Sequence, residues 1–168
     1  LSILSIDGAD KVCLELNSLS KSHNMAGFRV GMVAGNTEFI QNILKVKSNM
    51  DSGMYKPLQL AAVKALSNPE SWFQKINSSY KERRKLVWQM FDLLGAEYNK
   101  EQVGMFVWAK IPSQFKSGIE FSDYYLDAAK VFITPGTIFG SNGDQYARIS
   151  LCTKEENINI AIERLNNV

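Results

Sequence analysis

The chain has 168 residues, of which 45% are hydrophobic, 11% aromatic and 21% charged. That composition excludes a disordered chain, a collagen-like repeat and a small disulfide-framework protein, and the length suits one substantial domain or two small lobes. Lys and Arg number 19 against 17 Asp and Glu, a net charge of +2, which is too little for a nucleic-acid surface.

No internal repeat or low-complexity segment is present, so periodicity and punctuation set the expected elements. Residues 12–17 (VCLELN) predict a strand and 29–35 (RVGMVAG) a second. Asn36 or Thr37 then caps a helix whose apolar face is Phe39, Ile40, Ile43, Leu44 and Val46. Residues 50–57 (MDSGMYKP) read as a loop and 57–66 (PLQLAAVKAL) as a buried helix. Asn68 as cap and Pro69 in the first turn open a long helix. Its apolar positions are Trp72, Phe73, Ile76, Tyr80, Val87, Met90, Phe91 and Leu94, and Gly95 stops it. At ~1.5 Å per residue it is long enough to bridge two lobes, and its charged middle, KERRK, reads as a solvated face.

Beyond Gly95, residues 105–111 (MFVWAKI) alternate like a half-buried strand that ends at Pro112. A helix within 117–130 turns Phe121, Tyr124, Tyr125 and Ala128 inward. Residues 131–134 predict a short strand, 135–144 a glycine-punctuated loop and 146–151 another strand. Thr153 with Glu156 is a capping-box signature for a last helix with apolar positions Ile158, Ile160, Ala161, Ile162 and Leu165. Cys13 and Cys152 fall in the apolar runs and are expected to be reduced, buried and without a disulfide or metal role. The methionines read as core filler. No apolar run approaches the ~20 residues that cross a bilayer, and the opening LSILSIDGADK lacks the pattern of a secretory signal. A cytoplasmic location with no membrane or nucleic-acid partner is therefore expected. The second half forms an α+β lobe with its own core. The first half has too few elements to cover its apolar strands, so the chain reads as part of something larger.

Chemistry concentrates in residues 17–35, NSLSKSHNMAGFRVGMVAG. Lys21 leaves an apolar strand among Ser18, Ser20 and Ser22, and Arg29 follows between Gly27 and Gly31. Hydroxyls, glycines and a guanidinium fork suit a phosphate group. A lysine beside such a pocket is placed to attack an aldehyde as a nucleophilic amine. Spacing alone leaves this beside a plainer reading, a surface lysine and a structural arginine in a turn.

The string SLSKSHNMAGFRVG resembles the lysine motif of class I/II, fold-type-I pyridoxal-phosphate aminotransferases: Ser-x-Ser-Lys, a spacer, then Gly-x-Arg-x-Gly. Ser18, Ser20, Lys21, Gly27, Arg29 and Gly31 meet it. Downstream, GMFVWAKIP (104–112) resembles the family's small-domain strand, and VFITPGTIFGSNGDQYARISL its Pro-Gly, Phe-Gly, Arg-x-Ser segment, in the family's order. The resemblance implies an α/β fold with an α+β small lobe, the C-terminal part of a fold-type-I transferase. Residues 1–67 would be a remnant of the large-domain sheet, 68–95 a long interdomain helix and 96–168 the small domain.

The same resemblance implies pyridoxal 5′-phosphate as cofactor and Lys21 as the catalytic lysine that carries it and moves the substrate proton. Arg29, Ser18 and Ser20 would hold its phosphate, and Arg148 the substrate α-carboxylate. Tyr55 would contact substrate across a dimer interface. His23, two residues from Lys21, has no implied role, because the family gives that proton transfer to the lysine. The family's ring-nitrogen carboxylate, ring-oxygen partners, stacked aromatic and phosphate turn belong to an N-terminal half outside this sequence, and Asp7 and Asp10 do not replace the carboxylate. The implied function is amino-group transfer between an L-amino acid and a 2-oxo acid by a full-length homodimer, this part alone being inactive. Two alternatives stand beside it: a non-catalytic, self-associating structural fragment, and another fold-type-I activity such as a carbon–sulfur β-lyase or a decarboxylase. The motif's wording is similar to the branch containing alanine, aspartate and LL-diaminopimelate aminotransferases.

Overall fold

A computed structural model describes residues 2–168, and the strand expected at 12–17 runs there as β1 (Leu14–Ser18). It passes directly into one helical turn, α1 (Leu19–Ser22), because the Ser18 hydroxyl turns back to accept the Ser20 amide N–H at 3.2 Å. The chain reverses through residues 23–30 and returns as β2 (Gly31–Gly35). This strand pairs antiparallel with β1, from Leu14 opposite Gly35 to Ser18 opposite Gly31. α2 (Thr37–Met50) starts where expected, with Asn36 Oδ1 accepting the Glu38 N–H at 2.8 Å. α3 (Lys56–Leu66) carries Pro57 in its first turn. These elements belong to a unit that runs to Pro69.

The buried cluster of this unit is small, consisting of Leu19, Met25, Val30 and Ala62. The expected buried helix at 57–66 is a helix covered on one side only: Ala62 is buried and Leu58, Ala61 and Ala65 pack partly buried beside it, while Leu60, Val63 and Leu66 are about 60% exposed. No residue of α2 is buried. An apolar stripe reports which side of a helix avoids water, not whether a partner lies against it. A two-stranded sheet offers too little surface to cover both helices.

The second unit is Glu70–Val168. α4 (Glu70–Leu93) starts directly after Pro69 and ends ahead of Gly95. β3 (Glu97–Tyr98), β4 (Phe106–Lys110), α5 (Gly118–Ala129), β5 (Thr134–Pro135), β6 (Tyr146–Ser150) and α6 (Glu155–Leu165) follow. The strands make an antiparallel sheet in the order β3-β4-β6-β5. Val87 and Phe91 of α4, Val107 of β4, Phe121 of α5 and Ala147 of β6 are fully buried and form the centre of one core.

Several local expectations change here. The covered side of α5 is Phe121, Ser122 and Ala129 with half-buried Tyr125, while Tyr124 and Ala128 are exposed. Ser122 tolerates burial because its hydroxyl donates to the Ile133 carbonyl at 2.5 Å. Of the strand expected at 131–134, only Thr134 pairs, together with Pro135. The Thr153–Glu156 box does not form. α6 starts at Glu155 without a side-chain cap, and Thr153 Oγ1 instead accepts from Asn157 Nδ2 at 3.1 Å. Ile160 points outward, 46% exposed. Both cysteines are unpaired thiols, but Cys13 lies ahead of β1, half-buried, and Cys152 beyond β6, exposed, so neither is a buried strand residue.

The KERRK segment is also not a solvated face throughout. Arg83 Nε donates to Glu155 Oε1 at 2.8 Å and its Nη1 to the Leu151 carbonyl at 3.2 Å. Arg84 donates through Nη1 to the Gln102 carbonyl and through Nη2 to that of Gly104 at 2.5 Å. The two guanidinium groups thus fasten α4 to the start of α6 and to the loop ahead of β4, satisfying carbonyls that strand pairing leaves over.

These contacts set two pH dependences. The Arg83 hydrogen bond holds the Glu155 carboxyl below the usual carboxylate range. Its contribution is present above the unfolded value of about 4.3 and is lost as pH falls through the lowered folded value. Arg83→Met is expected to flatten the acid limb of the unfolding curve below about pH 4.3; an unchanged limb contradicts this. Burial, with the hydroxyl donating to Asp92 Oδ1 at 2.9 Å, pushes the Tyr98 phenol up to about 12. The unfolded chain releases that proton near pH 10, so this stabilisation is complete below about pH 10 and fades as pH rises towards 12. Tyr98→Phe should remove that alkaline slope in denaturant titrations, and a slope unaffected by the substitution refutes the assignment.

Candidate functional site

At the end of β1 the chain ties itself into a knot of short hydrogen bonds. The Ser18 hydroxyl, besides capping α1, donates to Ser20 Oγ at 3.0 Å, and Ser22 Oγ donates to the Ser18 carbonyl at 3.2 Å. Two backbone bonds sew this turn to the segment behind it: the Leu19 N–H donates to the Val30 carbonyl at 3.1 Å and the Met25 N–H to that of Leu19 at 3.2 Å. Leu19, Met25 and Val30 are buried beneath, which leaves Ser18 and Lys21 exposed on top with Ser20 half-buried. The strands meet so closely here that a Cβ on Gly31 would lie 2.9 Å from the Asn17 carbonyl oxygen, so glycine is required opposite Ser18.

Arg29 closes the reversal. Its backbone is left-handed, φ +56° and ψ 41°, which is uncommon for a side-chain-bearing residue, and its Nη1 donates to the Ala26 carbonyl at 2.9 Å. Arg29 and Tyr55 line one hollow of about 470 Å³ together with Gly27, Phe28 and Met54. Lys47 and Asp51 also face it as an ion pair, and the Lys47 hydrogen bond holds the Asp51 carboxyl below its usual range. With its carboxylate already neutralised, the hollow keeps the net positive charge of Arg29. A second hollow of about 420 Å³, lined by Leu19, His23, Val30, Met32 and Ala62 among others, is mostly apolar. Lys21 lines neither of these two.

Ser18, Ser20 and Lys21 thus lie along the same short stretch of chain as Arg29, but none of the three lines the hollow that Arg29 faces, which holds no unpaired carboxylate. That donor set fits a phosphorylated aldehyde: the amine condenses with the carbonyl carbon, and cationic and hydroxyl donors hold the phosphate. Among the described residues no cluster of His, Cys, Asp and Glu could hold a metal ion.

In the second unit Arg148 lies on β6, opposite Trp108 of β4 on one side and Thr134 of β5 on the other. It is half-buried, and its guanidinium carbon sits 4.1 Å from the ring centroid of Phe106 and 3.9 Å from that of Phe139. None of the ion pairs among the described residues involves it. Of the two flanking rings, Phe139 belongs to the Phe-Gly motif, while sequence reading does not single out Phe106. The alternation of residues 105–111 places Phe106 and Trp108 on one face, but only strand register puts that face beside Arg148.

Comparison with known proteins gives the family. The family model for aminotransferase class I and II matches residues 2–165. LL-diaminopimelate aminotransferase of Halothermothrix orenii is 39% identical over 166 residues, 99% of this chain and 42% of the relative. That of Natranaerobius thermophilus is 40% identical, over 98% and 42% respectively. Among solved structures, substrate-bound BacF from Bacillus subtilis superposes with a TM-score of 0.88 at 37% identity, covering 98% of this chain and 42% of that one. An aromatic aminotransferase from Pyrococcus horikoshii gives 0.89 at 32%, covering 99% and 45%. The chain thus spans about 42% of the length of the curated relatives it matches.

The left-handed backbone at Arg29 separates conformation from chemistry. Arg29→Gly is expected to be more stable than Arg29→Ala by about 1 kcal/mol, since glycine occupies that region without a Cβ clash. Both variants lose the guanidinium alike. Equal melting temperatures for the two would contradict the strain.

Proposed function

The chain belongs to the class I and II aminotransferases, and we propose that it serves a pyridoxal 5′-phosphate enzyme that moves an amino group between an L-amino acid and a 2-oxo acid. Its mixed α/β fold matches the corresponding portion of fold-type-I aminotransferases. The observation that carries the proposal is the sewing of the Lys21 turn to the Arg29 reversal through Leu19 and Val30. It supports the reading by tying the backbone of the lysine turn to that of the arginine reversal.

In this reading Lys21 holds the cofactor through its Nζ and, once released by substrate, moves a proton to and from the substrate α-carbon. Arg29 binds the phosphate with the hydroxyls of Ser18 and Ser20, and the Ser18 cap keeps α1, and Lys21 with it, in one orientation. Arg148 takes the substrate α-carboxylate in its bidentate fork, a geometry lysine does not reproduce. Pyridoxal phosphate, when bound, supplies the electron sink for charge left at the α-carbon. Tyr55, 70% exposed ahead of α3, contacts substrate in the neighbouring subunit of a cytoplasmic homodimer. The relatives named for LL-diaminopimelate make that diamino acid the first substrate to test.

Amino-group transfer by the complete protein, dependent on an added 2-oxo acid, is the expected activity. Lys21→Ala should reduce it by about 10²–10⁴-fold or more while non-covalent cofactor binding survives. Release of ammonia without need of a 2-oxo acid would instead identify an elimination enzyme, and full transfer by Lys21→Ala would remove the lysine from the chemistry.

A further inference from the structure

We infer that Phe106 and Phe139 are positioning residues for Arg148: both rings lie against the guanidinium and restrict it, leaving its N–H donors for a substrate carboxylate. The inference rests on the role proposed for Arg148 and adds what makes that arginine a prepared receptor.

Both rings lie well inside the ~6 Å range in which a cation is attracted to an aromatic face. An aromatic ring offers no conventional acceptor, so it immobilises the guanidinium without consuming any of its five N–H donors. A carboxylate in the same place would have occupied the fork, and no ion pair among the described residues does so. An arginine stem has many rotamers, and restricting them before substrate arrives removes an ordering cost from binding.

The rings are themselves held. Phe106 opens β4, two residues before Trp108, which stands directly opposite Arg148, so ring and guanidinium are diagonal neighbours on one face of the sheet. Phe139 ends the turn Gly136–Phe139. Gly136 and Gly143 approach so closely that a Cβ on either would overlap the other's backbone, which pins that turn. Trp108 meets Phe139 edge-on at 5.7 Å and stacks on Tyr146 at 5.6 Å. Phe139 is 50% exposed, and its ring meets the cation as well as Trp108.

The test uses the complete protein and reads KM, kcat and the NMR signals of arginine. Phe139→Leu should raise KM for amino acid and 2-oxo acid about tenfold with kcat within about twofold, and Phe139→Tyr should restore the original KM. Arg148→Leu should raise KM about a hundredfold, and adding Phe139→Leu to it should change nothing further. Independently of activity, the Arg148 side-chain protons should show ring-current shifts that Phe139→Leu and Phe106→Leu each diminish. A KM untouched by Phe139→Leu, or an equal loss with and without Arg148, overturns the positioning role while the proposed function stands. A KM insensitive to Arg148→Leu overturns the carboxylate role, and this inference with it.

Discussion

The pairing of Ser18 with Gly31 across β1 and β2 is the constraint on which the proposed cofactor site depends. Because the ladder ends there, the Ser18 side chain is available to cap α1, and the Leu19 N–H reaches the Val30 carbonyl instead of continuing a strand. Lys21 then sits on a turn whose start, floor and rear are each fixed by a separate interaction. The segment also carries a glycine where the strands crowd and two left-handed residues, Asn24 and Arg29, where the chain reverses. All three fall inside the stretch whose residue types suit a phosphorylated aldehyde.

Three arginine environments show how much the surroundings decide. Arg83 and Arg84 spend their donors on carbonyls and on Glu155, and so act as clamps within the second unit. Arg29 bonds the Ala26 carbonyl and faces a hollow whose carboxylate is already neutralised. Arg148 lies against two rings and is in none of the ion pairs among the described residues. Nor is Arg29, and these two are the ones that the motif pattern marks.

What the sequence disclosed was local. Asn36 before a periodic run gave the start of α2, and the long apolar period gave α4 to within a few residues of its ends. Spacing alone did not separate the Lys21–Arg29 segment from a surface lysine and a structural arginine; the motif resemblance singled it out as the candidate. Burial was less legible: α3 has an apolar side, yet its period says nothing of the area lying against it. The KERRK string hid its role for a similar reason, since a run of charges does not show which head group meets a leftover carbonyl. β3 is two residues long, below any detectable period. The Thr153–Glu156 spacing matched a capping box, but Thr153 bonds Asn157 and Glu155 bonds Arg83, and the cap is not made. The rings around Arg148 required strand register, which no single segment encodes.

The most direct measurement of the central claim is chemical trapping. The intact protein is mixed with one equivalent of pyridoxal 5′-phosphate, reduced with borohydride, digested and mapped by mass spectrometry. Pyridoxyl label confined to Lys21, and lost when Arg29 is replaced by alanine, is the expected result. Label scattered over other lysines, or retained at Lys21 with no dependence on Arg29, would contradict the assignment of this turn and reversal as the cofactor site.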